Sequence, residues 1–144
     1  MTVELMRGAQ HPTLERLREA TGTPLLLLHA LRGCRGDWNP SALAWDGPVW
    51  ALDLSGHGES GWLHGSVYSP EQFAADADIA LAHIGAPLCV AGAGSGGYAA
   101  QLLAGWVIGP SPTDPLPLCQ LPSQRPLGAE YSLFTNKAFV FKSC

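Results

Sequence analysis

Lysine occurs only at Lys137 and Lys142, and charged residues make up just 14% of the 144-residue chain. Eight basic against twelve acidic residues leave a formal net charge of −4. Such a chain has no basic stripe with which to neutralise phosphates, so neither nucleic acid nor an anionic membrane is an expected partner. Long apolar runs are absent too. Runs such as Pro24 to Leu28 fall far short of the ~20 residues that a spanning helix requires. The opening stretch MTVELMRGAQ has no apolar signal core, and a cytoplasmic location is the expectation. Cysteine is sparse and scattered, at Cys34, Cys89, Cys119 and Cys144, with no CxxC pair and no Cys/His cluster at metal spacing. That pattern fits reduced thiols in a cytosol, with neither a disulfide framework nor a metal site.

What is present is apolar material for one folded domain: 47% of the residues are hydrophobic, and a chain this long can bury a sizeable core. Composition changes near Trp106. Six prolines follow, at 110, 112, 115, 117, 122 and 126. They forbid a helix there and each removes a ladder donor from any strand. Residues 1–105 therefore read as a partial domain and 106–144 as a Pro-rich irregular tail, with one strand expected at Lys137 to Lys142 and WVIGP as the one stretch that resembles a next strand. The tail is either a natural extension or a replacement of the original continuation through a frame change, splice event or truncation. The second reading is preferred, for a reason given below.

Three short apolar runs, PLLLLHA (Pro24 to Ala30), PVWALDL (Pro48 to Leu54) and PLCVAGA (Pro87 to Ala93), carry the signature of strands buried on both faces. Between the last two lies a helix. Ser69 can cap it, Pro70 suits its first position, Gln72 completes a capping box and Gly85 ends it. Phe73, Ala77, Ala80 and Ile84 give that helix one apolar face. A second helix is expected to open near Gly96. TVELMRG reads as an edge strand, and TLERLREATG fits either a helix or a second strand, with strand preferred. Strand, turn and helix in repetition imply an α/β fold, a mostly parallel sheet with helices on both faces.

The stretch LCVAGAGSGGYAAQLLAG, Leu88 to Gly105, admits two chemistries. Gly92-x-Gly94-x-x-Gly97 after a strand is a dinucleotide fingerprint. Ala93-x-Ser95-x-Gly97 is a turn that presents a nucleophilic serine. Taken in order, PLLLLHA, VWALDLSGHGES and CVAGAGSGGYAAQLLAG resemble the first half of the α/β-hydrolase fold, over about residues 2–105. The resemblance implies a partial fold lacking the C-terminal strands and cap, and a serine hydrolase of ester, amide or related bonds in complete form. It also implies a small-molecule substrate if active and no cofactor. His29, followed by Ala30 where the family has glycine, is implied to be structural, as are His57 and Ser60 in the turn Asp53 to Ser60.

Two registers of the implied elbow remain. One makes Ser95 the nucleophile, with backbone N–H groups of Leu31 and Gly96 as oxyanion donors. The other aligns Gly96-Gly97 with the family's glycine pair and places Gly94 in the nucleophile position. Either way the implied triad is incomplete in this chain. His11, His29, His57, His64 and His83 all precede Ser95, and the only later acids are Asp114 and Glu130. An acyl-transfer nucleophile needs a base and an orienting carboxylate, which this fold supplies after the serine. This is why a replaced continuation is preferred. Two alternatives stand beside the incomplete hydrolase. One is a non-catalytic interaction protein or truncated product, self-associating through an exposed sheet edge. The other is a dinucleotide binder, whose acidic partner about 20 residues on would be Asp114.

Overall fold

The computed structural model describes residues 1–39, 45–85, 89–108 and 139–142, the backbone alone for 104–108 and 139–142. Six strands and two α-helices follow in the order β1 (Thr2–Glu4), β2 (Thr13–Arg18), β3 (Leu25–Leu28), β4 (Val49–Asp53), α1 (Pro70–Ile84), β5 (Cys89–Gly92), α2 (Ser95–Ile108) and β6 (Phe139–Lys142). The strands form one sheet in the order β1-β2-β4-β3-β5-β6. Its core is parallel: β3 pairs with β4 on one side and with β5 on the other. Antiparallel strands complete it, β2 on β4, β1 on β2 and β6 on β5. TLERLREATG thus contributes a strand rather than a helix. Its β-structure is fixed by the open edge of β4, which local propensity does not see.

Every residue of β3, β4 and β5 is buried, as expected of parallel strands covered on both faces. Alternation divides them. Leu26, Leu28, Trp50, Leu52 and Val90 share a cluster with Phe73, Ala74, Ala77 and Ala80 of α1 and Ala99, Ala100 and Leu103 of α2. Leu25, Leu27, Val49, Ala51, Cys89 and Ala91 form the other face, against Leu17, Trp38 and Trp45. Both helices therefore lie on one face among the described residues. Leu17, Trp38 and Trp45 pack against the other.

Local signals explain the elements well. Ser69 is extended and its hydroxyl accepts from the Gln72 N–H at 3.4 Å, Pro70 opens α1, and Gly85 closes it at φ +72°. The Glu71 carboxyl, which shares a hydrogen bond with the Ser69 side chain, is held below its ordinary pKa. α2 runs on to Ile108, so Trp106, Val107 and Ile108 of WVIGP are helical and do not begin a strand. The strand expected at Lys137 to Lys142 forms over Phe139–Lys142, paired with β5. The proline-bearing stretch 109–138, with Asp114, Cys119 and Glu130, lies outside the described residues, as do 86–88 and 143–144.

Phe73 is the largest fully buried side chain and sits where α1 meets the sheet. Phe73→Ala is expected to cost about 3–5 kcal/mol of unfolding free energy. The cap variant Ser69→Ala, at a half-buried position, is expected to cost only ~1 kcal/mol. Urea titration of the two side by side checks the ranking.

Candidate functional site

The turn from β5 into α2 has almost no room in it. A Cβ built on Gly92 would lie 2.3 Å from the carbonyl oxygen of Gly96. One on Gly96 would lie 2.3 Å from the Leu28 carbonyl oxygen and 2.5 Å from that of His29. Both positions are barred to any side chain by backbone, which cannot swing aside. Midway between them is Gly94, exposed, at φ +52°. This is the left-handed conformation that L-residues adopt only at a cost. Gly94 is therefore the apex of the turn. Ser95 is the first residue of α2, and its hydroxyl is enclosed with no hydrogen-bond partner among the described residues. The Gly96 N–H donates to the Ala93 carbonyl at 2.9 Å.

Facing this apex is the turn that leaves β3. A Cβ on Gly94 would come within 3.2 Å of the Ala30 Cβ. Leu31 follows, with 62% of its surface exposed. Arg32 has φ +67° and the Gly33 N–H closes the turn on the Ala30 carbonyl at 2.9 Å. Leu31, Gly94, Ser95 and Gly96 are thus brought to the carboxyl ends of β3 and β5, the edge at which open α/β sheets hold ligands.

His29 lies beneath, fully buried. Its Nε2 accepts from the Leu54 N–H at 3.0 Å, and its Nδ1 is 2.7 Å from the Ala30 carbonyl. The first contact needs a lone pair and the second a proton, so the ring is neutral with the proton on Nδ1. Burial holds its pKa below the ordinary value, aided by the His57 ring, against the opposing pull of the Ala30 carbonyl and Asp53. His57 stacks at 5.1 Å between ring centroids from His29 and also meets Tyr68 and Phe73, while its Nδ1 lies 3.1 Å from the Ser55 carbonyl. Ser60 Oγ donates to the Asp53 carbonyl and accepts from the Thr13 N–H at 2.8 Å. Both side chains are engaged in joining loops.

Two charged clusters were not evident in the sequence. Arg35 meets Glu15 at 2.6 Å, Glu59 at 2.7 Å and the buried carboxylate of Asp53. Burial opposes its charge, but hydrogen bonds with Glu15 and Glu59 and the charge of Asp53 outweigh that and raise its pKa. Asp53 also accepts from the Arg35 and Glu59 backbone N–H groups. On α1, the fully buried Asp76 accepts from the Ser55 N–H at 2.9 Å and from Arg7 Nε at 3.0 Å. The signal for Asp76 was available. It stands three residues after Phe73 and one before Ala77, on the apolar face of its own helix. Among the described residues no group of three or more His, Cys, Asp or Glu could hold a metal, and no helix is long and apolar enough to cross a membrane.

No protein-family model matches the chain, and no curated protein does. Solved structures do match. A protein assigned as an epoxide hydrolase from Pseudomonas aeruginosa is 28% identical, with a TM-score of 0.61, over 72% of this chain and 36% of that one. A bacterial membrane phospholipase A is 25% identical with a TM-score of 0.63, over 72% of this chain and 34% of that one. The bottromycin epimerase BotH, in complex with bottromycin A2, is 27% identical with a TM-score of 0.64, over 72% and 43%. The chain thus spans well under half the length of each.

Two measurements test this geometry. Because its folded-state pKa lies below the ordinary 6.5, His29 contributes stability that is complete above that value and is lost as pH falls through the folded pKa. Urea midpoints should therefore fall on the acid side of 6.5. His29→Asn should be less stable at neutral pH but show a flatter acid slope. At the apex, Gly94→Ser should destabilise by about 1–2 kcal/mol through left-handed strain and crowding. Ala30→Gly in the same chain should return part of that loss, a non-additivity readable by a double-mutant cycle.

Proposed function

From the α/β-hydrolase fold that this chain shares with about a third of the length of its solved neighbours, we propose that it is a hydrolase-type protein whose elbow has kept its shape and lost its nucleophile. The observation that carries this reading is the backbone of Gly94. An elbow presents its nucleophile on the strained residue between strand and helix, and that residue, at φ +52°, is a glycine. Ser95 stands one place late, in the helix, with its hydroxyl turned into the protein.

What remains at the apex is a binding surface rather than a covalent catalyst. The donors in this reading are the Leu31 N–H, from the turn whose Ala30 meets Gly94, and the Ser95 N–H, next to Gly94 in the chain; first-turn amides of a helix are not consumed by the helix itself. Such donors suit a carbonyl or carboxylate oxygen of a small molecule. The ligand would be bound without forming an acyl-enzyme, because no side chain at the apex can attack it. The partner in this reading is a small molecule with such an oxygen, and the net charge of −4 argues against nucleic acid or an anionic membrane. The epimerase among the similar structures supports a use of this fold in which hydrolysis is not the outcome.

The competing reading keeps Ser95 as nucleophile, with Leu31 and Gly96 N–H groups holding the oxyanion. It requires the enclosed hydroxyl to swing outward and the Gly96 N–H to leave the Ala93 carbonyl. A fluorophosphonate probe separates the two. Intact mass after incubation with the folded chain should be unchanged, and identical to that of Ser95→Ala. A probe adduct mapped to Ser95 and absent from Ser95→Ala would defeat the proposal.

A further inference from the structure

The turn that carries Leu31 is held at its two ends by adjacent residues where β4 finishes. At one end the His29 ring accepts the Leu54 N–H at 3.0 Å. At the other the Arg35 N–H donates to the Asp53 carboxylate at 2.6 Å, and the Arg35 guanidinium pairs with that same carboxylate. Between these anchors the turn is open to solvent at Leu31 and Arg32. Arg32, at φ +67°, holds the left-handed conformation that a side-chain-bearing residue enters at a cost. The inward contact is Ala30, whose methyl group lies 3.2 Å from the Cβ position of Gly94.

The two anchors respond to protons differently. Arg35 stays charged, and Glu15 and Glu59 hold it besides Asp53. His29 holds its end only as a neutral ring, with Nδ1–H directed at the Ala30 carbonyl, 2.7 Å away. A further proton has to go on Nε2, the atom that faces the Leu54 N–H, and two donors would then oppose each other. Burial and the His57 ring oppose that proton, while the Ala30 carbonyl, Asp53 and Asp37 favour it. Asp76, the carboxylate that α1 buries, is occupied by Arg7 and the Ser55 N–H. The strands beneath do not depend on the ring, because β3 is paired on both sides and every residue of it is buried.

We propose that the His29–Leu54 contact is a proton-operated latch on this turn. With the ring neutral, the turn is held against the elbow at both ends. With the ring protonated, the His29 end is released. The turn then pivots on the Arg35–Asp53 anchor and takes Ala30 away from Gly94 while the sheet stays folded. On the reading of the Leu31 and Ser95 N–H groups as ligand donors, on which this consequence rests, acid separates the two donors and lets the ligand go.

The test is an NMR titration of the full, unsubstituted chain from neutral pH downward, without ligand. The ring nitrogen shifts of His29 report its protonation, and amide exchange is read as protection corrected for intrinsic rates. Below 6.5, the ordinary histidine value, protection at the Leu54 amide should fall about tenfold per pH unit until the latched ring itself protonates, the slope of one proton taken up on opening. The nuclear Overhauser contact between the Ala30 methyl and the Gly94 α-protons should fade over the same range. The Arg35 and Leu52 amides should still be protected once Leu54 exchanges freely. Loss at Leu54, Arg35 and Leu52 together would mean that the whole fold opens and would overturn the latch. So would a Leu54 amide that stays protected, or an Ala30–Gly94 contact that survives, once His29 is protonated. His29→Gln, uncharged at every pH and able to offer an amide oxygen to the Leu54 N–H, should abolish the slope at Leu54. A slope that persists in that variant rejects His29 as its source. These readouts need no ligand and no nucleophile, so they stand or fall separately from the fluorophosphonate result.

Discussion

The contact on which the candidate site depends is between backbones. α2 begins so close to the ends of β3 and β5 that the Cβ positions of Gly92 and Gly96 are filled by carbonyl groups. With those two residues fixed as glycine, the residue between them has to turn the chain, and it does so in the left-handed region. The same approach sets the Leu28 and His29 carbonyls against the helix. His29 is then in place to bridge to Leu54, so the end of β3 is tied to the end of β4. Asp53, one residue earlier, ties β4 onward to the Arg35 turn and, through Arg35, to Glu15 of β2. The polar interior of the protein is a chain of such ties along one edge of the sheet.

Those ties are better understood as positioning than as net stabilisation. Desolvating a carboxylate and a guanidinium costs about as much as their attraction returns unless hydrogen bonds complete the set. Here the set is rich. Asp53 takes two backbone N–H groups besides Arg35, and Asp76 takes one besides Arg7. Gly58 makes the first arrangement possible, since a Cβ there would stand 2.3 Å from the Asp53 carboxyl. A chain with so few charges has placed Arg7 and Arg35 where each fixes a loop. The neutral His29 follows the same logic, because an imidazolium would have no lone pair for the Leu54 N–H.

The sequence was most readable where one local rule decided the outcome. The run of leucines in β3, the cap at Ser69 and the stop at Gly85 each have one physical interpretation, and the structure has all three. It was ambiguous where the decision belonged to a distant partner. TLERLR becomes a strand because β4 has an edge to fill. The aromatic cover of the second sheet face comes from Trp38 and Trp45, which no periodicity connects to β3. The elbow register was ambiguous for a different reason. Glycines at 92, 94, 96 and 97 let the same motif slide by one place, and residue type alone does not choose between the positions. Arg35 gave no signal, because its three carboxylates come from two segments distant from it in the chain, Glu15 from β2 and Asp53 and Glu59 from the end of β4 and the turn after it.

The elbow also separates what a turn needs from what its chemistry needs. Its shape rests on Gly92, Gly96 and the carbonyls of Leu28 and His29, all of which are indifferent to the residue at the apex. Nucleophilic chemistry rests on a side chain at that apex alone. The shape therefore does not require a side chain at the apex. The space a Gly94 side chain would begin to occupy is limited by Ala30, whose methyl group stands 3.2 Å from the missing Cβ. With alanine in one turn and glycine in the other, the two loops meet without crowding, and a side chain at position 94 would require relief at Ala30.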